Sequence, residues 1–173
     1  DTTEKVDLLR AVARRWLEQF SNVQNAIRAF EALLEATGDD AEALEQLEEP
    51  YKKRRVWDKL YELYETRLTS VEDAGRVELM LEMAKLAAER LNKGDEAIRL
   101  LKEVLVFDPE QEGVLDQLER QAERQKDHNT VAFVLDKRIE AADDEVTKLS
   151  MLQKLGVLCA DKLEDSERAQ DAW

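Results

Sequence analysis

The 173-residue chain carries 40 acidic against 26 basic residues, a formal net charge of −14, with only five Gly and two Pro. So few turn formers exclude an all-β domain, a collagen-like repeat and a low-complexity chain. Its apolar residues, 43% of the total, are interleaved with the charges, so the chain can bury a core, and a helical protein is expected.

The first predicted helix pair carries Val6, Leu9, Val12, Ala13 and Trp16, then Ala26, Ile27, Phe30, Leu33 and Leu34, in the three-and-four spacing of amphipathic helices. Between them, Ser21-Asn22-Val23-Gln24 reads as a capping box in which the Ser hydroxyl accepts from an orphan backbone N–H. Thr37-Gly38-Asp39-Asp40 stops this pair and starts the next, which carries Leu44, Leu47 and Tyr51, then Val56, Trp57, Leu60, Tyr64 and Leu68. Pro50 lies inside the predicted helix from about Ala41 to Arg54. It removes a backbone donor and crowds the carbonyl of Gln46, which predicts a kink or an early break. Lys52-Lys53-Arg54-Arg55 reads as a helix end meeting the negative pole of the dipole, with a docking patch for an acidic partner as the alternative.

Past Ser70 to Gly75 the chain repeats itself at a shift of 71 residues. Val6, Leu8, Ala13, Ala26, Ile27, Arg28, Leu34, Leu44, Gln46, Leu47 and Glu48 fall on Val77, Leu79, Ala84, Ala97, Ile98, Arg99, Leu105, Leu115, Gln117, Leu118 and Glu119 without a gap. The counterpart of Pro50 is Gln121. In this second unit Asp108-Pro109-Glu110-Gln111 is read as a helix start, with Asp as cap and Pro at the first helical position. Ala142 to Glu145 separates the second unit from a third copy, which begins near Lys148 after one extra residue. That copy lays Leu163, Ala169 and Trp173 over Leu91, Ala97 and Leu101.

Each unit is two helix pairs, and the spacing within them resembles the tetratricopeptide pattern: a large apolar residue, Leu-Gly three residues on, an aromatic, then Ala-x3-Phe in a second helix and a closing Pro. The third copy reads Leu152, Leu155-Gly156, Cys159, Ala169 and Trp173. The first reads Leu9, Val12-Ala13, Trp16, Ala26 and Phe30, and the middle one Met80, Met83-Ala84, Ala87, Ala97, Leu101 and Pro109. Glu48 and Glu119 stand where the family prefers a small residue, and Gly38 replaces the closing Pro. A half-a-tetratricopeptide or related α-solenoid class is the alternative. The resemblance implies an all-α, right-handed superhelix of antiparallel hairpins, similar to long bacterial arrays. About four and a half repeats are expected, over 6–40, 41–75, 76–111, 112–147 and an incomplete 148–173, in one solenoid segment with no separate second domain. A start without Met and an end on Trp173, aligned with the mid-helix Phe30 and Leu101, suggest a fragment of a longer array. Self-association through the incomplete C-terminal repeat is the corresponding expectation.

Reactive chemistry has few candidates. The lone Cys159 occupies an apolar slot and the lone His128 a turn position, and there is no Gly-rich phosphate loop or Glu-x-x-His pair. Asp39-Asp40, Glu48-Glu49 and Asp143-Asp144-Glu145 read mostly as helix caps and first-turn charges, without the spacing of a calcium loop. No catalytic, cofactor-binding or metal-ligating residue is therefore expected. The acidic balance disfavours nucleic acid, no apolar run is long enough for membrane insertion, and one cysteine is compatible with a reducing, cytoplasmic compartment without fixing it.

In the tetratricopeptide family the first helix of each hairpin lines a concave groove. The resemblance places Arg10 and Arg14, Glu45 and Glu49, Leu81 and Lys85, Asp116 and Arg120, and Gln153 and Val157 at those positions. The Lys and Asn set of the family's carboxylate-clamp subgroup is missing, which argues against chaperone C-terminal tails as ligands. The expected function is a non-catalytic scaffold that binds a peptide or protein partner in this groove. The alternative is a structural spacer that stacks end to end.

Overall fold

The computed structural model describes residues 2–20 and 22–172. Among these residues the chain is all-helical: α1 (Thr2–Glu18), α2 (Val23–Thr37), α3 (Ala41–Arg54), α4 (Trp57–Leu68), α5 (Asp73–Glu89), α6 (Gly94–Phe107), α7 (Val114–Gln125), α8 (His128–Ala141), α9 (Glu145–Leu158), a π-turn (Cys159–Leu163) and α10 (Ser166–Asp171). The boundaries recur with the period of the sequence. α5 begins and ends one full period after α1, and α6 and α8 begin one period after α2 and α4. The extra residue before the third copy is taken up where α8 runs on to Ala141 and α9 starts at Glu145.

The helices form two compact units, Asp1–Leu91 and Asn92–Trp173, whose boundary falls between α5 and α6, inside the predicted repeat 76–111. In the first unit each helix packs on the next, from α1 to α5. Ala13, Phe30, Leu33, Leu47 and Tyr64 are buried there, the alanine permitting close approach of α1 and α2. Trp16 and Trp57, placed by the three-and-four spacing on the apolar faces of their helices, are only half-buried. In the second unit α6 to α9 pack in sequence, and the π-turn and α10 close onto α9. Leu101, Val104, Val114, Leu118 and Val134 are buried in that unit. A cluster of Ala132, Leu135, Leu155, Cys159, Ala169 and Ala172 lies towards its end. Burial pushes the Cys159 thiol up, away from the thiolate.

Aspartates do most of the capping. Asp40, Asp127, Asp144 and Asp165 each accept backbone N–H groups at the starts of α3, α8, α9 and α10. Gly38 ends α2 with φ 87, a left-handed position that a side chain would strain. The tips joining α3 to α4 and α7 to α8 instead use Arg55 and Lys126, both at φ 58, and Asn92 and Glu164 are likewise left-handed. Non-glycine residues at these turns explain how so many hairpins coexist with five glycines.

Two local expectations need correction, and the two outcomes expected at Pro50 are narrowed to one. The cap of α2 is Asn22, whose side-chain oxygen accepts from the Asn25 N–H at 3.1 Å, while Ser21 lies outside the described residues, as does Trp173. Asp108-Pro109 does not open a helix. Asp108 accepts from the Glu110 N–H at 3.2 Å in a local turn, and α7 begins only at Val114, after Gly113 at φ 75. Pro50 does not end α3 early, because the helix continues through it to Arg54.

Candidate functional site

The expected groove positions meet different fates. Arg10 and Arg14 on α1 are engaged within the first unit. Arg10 donates to Asp40 at 2.5 Å, and Arg14 forks onto the two carboxylate oxygens of Glu42 at 2.6 Å each. These pairs tie α1 to the first turn of α3. Burial pushes the Asp40 carboxyl up, but hydrogen bonds from Arg10 and from the Ala43 N–H outweigh it and hold the group below its ordinary range. The arginines thus fasten one hairpin to the next, and a ligand would have to break ion pairs to use them.

Glu45 and Glu49 are exposed on α3 and line one open hollow of about 640 Å³ with Leu17, Val23, Gln46, Glu48, Pro50, Lys53 and Arg54. Lys85 is exposed on α5 and borders a second hollow, of about 260 Å³, whose wall is Trp57, Leu60 and Tyr64 of α4. Lys52, Glu82, Glu89 and Arg90 complete its rim, and the Arg90 guanidinium lies over the Trp57 ring, 5.4 Å from its centroid. Lys85 has no ion pair among the described residues. Leu81 is half-buried on the same helix. On α7, in the second unit, Arg120 donates to the backbone carbonyl of Asp116 at 3.1 Å, and the Asp116 carboxylate accepts from Arg138 at 2.6 Å. Gln153 and Val157 are exposed on α9. Within the first unit, then, the structure brings Glu45 and Glu49 together in one hollow and Lys85 to another, and it consumes Arg10 and Arg14.

The residues that sequence reasoning misses are the walls. Periodicity assigns Trp57 and Tyr64 to packing alone, and it gives Leu17 and Val23 no role. The one available signal is that Phe20 and Val23 are apolar residues bracketing a helix break, and both are exposed, at 61% and 47%.

Glu48 and Glu119, the departures from the small-residue preference, have a physical explanation. Glu48 accepts from Tyr64 at 3.0 Å, Lys52 at 2.8 Å and Arg67 at 2.5 Å, binding α3 to α4. Glu119 pairs with Arg138 at 2.7 Å, which is the Glu48–Arg67 contact made again in the next copy of the repeat. Glu31 does the same for α2, accepting from Tyr51 at 2.9 Å and Lys59 at 2.5 Å. Burial raises both Glu31 and Glu48, but the lysine and tyrosine donors prevail and hold both carboxyls below the ordinary glutamate value of 4.5. A depressed folded-state pKa means that the unfolded chain takes up protons first as the pH falls. The stabilisation from Glu31 and Glu48 is therefore complete above pH 4.5 and is lost as pH drops below it. Urea midpoints measured from pH 7 to pH 3 should fall in that window, and Glu48→Gln should flatten the fall; an unchanged slope would show that Glu48 is not a contributor.

Among the described residues no group of His, Cys, Asp and Glu is placed to hold a metal ion, and no helix is long and apolar enough to cross a membrane. His128 is the half-buried first residue of α8.

Known proteins share features of this sequence and fold. Residues 43–78, spanning α3, α4 and the start of α5, match the sequence model of the family described as Tetratricopeptide repeat. Among solved structures, the chain is similar to the MamA protein, at 14% identity and a TM-score of 0.50, over 98% of this chain and 88% of that one. It is also similar to MamA 41-end from Desulfovibrio magneticus RS-1, at 14% identity and a TM-score of 0.47 over 97% and 90% of the two chains. YrrB, described as a TPR protein with an unusual peptide-binding site, aligns at 14% identity and a TM-score of 0.49 over 99% and 82%. No curated protein sequence matches the chain. The likeness to MamA is one of fold. With a tetratricopeptide repeat recognised over residues 43–78 and a fold like that of MamA over most of the chain, the described residues form an all-helical series of hairpins resembling a tetratricopeptide array.

Proposed function

We propose that this chain is a non-catalytic interaction scaffold that binds a peptide or protein partner through its first-helix faces, on α3 and α5 in the first unit and on α7 in the second. The observation that supports it best is the hollow between α3, α4 and α5. The half-buried Trp57 ring, backed by the buried Leu60 and Tyr64, is rimmed by Lys85 and Arg90, and an aromatic beside cationic anchors is a combination enriched where protein interfaces concentrate their binding energy. Arg10 and Arg14 serve a structural role in this reading, and Asp116 and Arg120 contribute charge selectivity. Affinity capture from the source cell with the intact chain provides the test. Lys85→Glu should abolish recovery of the specific partner, whereas Arg120→Glu should weaken it; full recovery with both variants would sink the groove reading.

Stacking end to end is the second reading, and a separate observation favours it. Leu8 and Val12 on α1 are 65% and 37% exposed, while their counterparts Leu79 and Met83 on α5 are 8% and 1% exposed. The first helix thus presents an apolar face of the kind that the array buries elsewhere. Sedimentation should then show mass rising with concentration, and Leu8→Asp should return the chain to monomer. A single monomeric species at high concentration would exclude stacking.

A further inference from the structure

The hollow beside Glu45 and Glu49 differs from an ordinary helix surface in three respects. Its floor is apolar, made by Leu17 at the end of α1, Val23 at the start of α2 and Pro50 on α3. Its lining includes a proline that withdraws the usual helical donor from the preceding turn. Pro50 has no N–H, so the Gln46 carbonyl four residues earlier receives no bond from that position, and both residues line the hollow. Finally, its charges are sorted. Glu45, Glu49 and Lys53 form one i, i+4 row along α3, acidic at one end and, with Arg54, basic at the other. Glu45, Lys53 and Arg54 have no ion pair among the described residues, and Glu49 only a long one, 3.9 Å from Lys52.

The second unit treats the equivalent positions differently. Gln121 replaces Pro50 and restores the missing donor. Gln125, the counterpart of Arg54, lies against Gly94, the counterpart of Val23, so closely that a Cβ on Gly94 would stand 1.8 Å from its Nε2. What one copy of the repeat fills and satisfies, the other leaves open, at the expense of a proline inside a helix.

The geometry points to a docking site for an extended partner segment in which a cationic side chain, an apolar side chain and a carboxylate follow one another on the same face. The cation meets Glu45 and Glu49, the apolar group covers Leu17, Val23 and Pro50, and the carboxylate meets Lys53 and Arg54. A peptide or side-chain N–H supplies the Gln46 carbonyl. Eight residues of helix separate Glu45 from Lys53, about 12 Å at 1.5 Å per residue. An extended chain covers this in about four residues, with alternate side chains on one face, which sets the spacing as Lys-x-Leu-x-Glu. This inference rests on the reading that the chain binds polypeptides.

The test uses fluorescent peptides built on Lys-Ser-Leu-Ser-Glu, Lys-Ser-Leu-Ser-Lys and Glu-Ser-Leu-Ser-Glu, titrated against the intact chain by anisotropy. The mixed peptide should bind at least about tenfold tighter than either single-sign peptide. Glu45→Lys combined with Glu49→Lys makes the rim basic and should transfer the preference to the peptide with two Glu. Pro50→Gln should weaken the mixed peptide about fivefold by returning the helical donor to the Gln46 carbonyl while raising thermal stability, a pairing of effects that misfolding cannot produce. Equal binding of the three peptides, or an unchanged preference in the doubly substituted chain with intact helical circular dichroism, would overturn the site. If it fails while Lys85→Glu still abolishes partner capture, the interaction role stands and this site alone falls.

Discussion

Replacing Phe30 with alanine is expected to lower the unfolding free energy by about 3–5 kcal/mol, a large fraction of what a domain of this size possesses. The ring is 1% exposed on α2, the helix that packs on both α1 and α3, so truncation opens a cavity that touches two interfaces at once. Leu101 occupies the same place in the second unit, also at 1% exposure, which shows that the position tolerates an aliphatic side chain. Phe30→Leu should accordingly cost less than about 1.5 kcal/mol. Urea unfolding of both variants measures the difference. In an array whose helices pack mainly on their sequence neighbours, hydrogen exchange should find the loss concentrated in α1 to α3. A cost below about 1 kcal/mol for the alanine variant would mean that the α1–α2–α3 junction collapses to fill the space.

The opposite sign is expected at Pro50. A proline within a regular helix costs about 3 kcal/mol through the lost hydrogen bond and the clash with the preceding turn, and about 0.4–1 kcal/mol of this is recovered because it stiffens the unfolded chain. Pro50→Gln, copying Gln121, should therefore stabilise the first unit by about 2 kcal/mol. Thermal unfolding followed by circular dichroism gives the answer. A loss of stability would show that α3 is bent to suit its neighbours and that the bend contributes more than the hydrogen bond.

Much of the fold is legible in the sequence because packing in a hairpin array repeats. Ala13 and Ala84, Leu47 and Leu118, and Ala26 and Ala97 are buried in pairs one period apart, and the same recurrence locates most helices closely. What escapes is local chemistry with near-equal alternatives. Ser21 and Asn22 are adjacent cap formers, and only backbone geometry selects Asn22. Asp108-Pro109 suits a turn as well as a helix start, and Gly113 in the left-handed region decides for the turn. The candidate site is less legible. Arg10 and Arg14 fit exposed groove positions by spacing, yet their acceptors Asp40 and Glu42 are distant in sequence and come near only when α3 docks beside α1. Hollows are legible still less. Trp57 and Lys85 are separated in sequence and share a rim only because α4 and α5 pack together there.

The left-handed residues at the hairpin tips have a consequence for how such a chain can grow. Arg55, at φ 58 and ψ 36, and Lys126, at φ 58 and ψ 30, are conformationally interchangeable points at equivalent places in successive copies. A cassette running from Val56 to Lys126 begins and ends at the same bend. Duplicating or excising it at the gene level would join two ends that already share one backbone bend, so a junction of the existing kind would be recreated at each splice point.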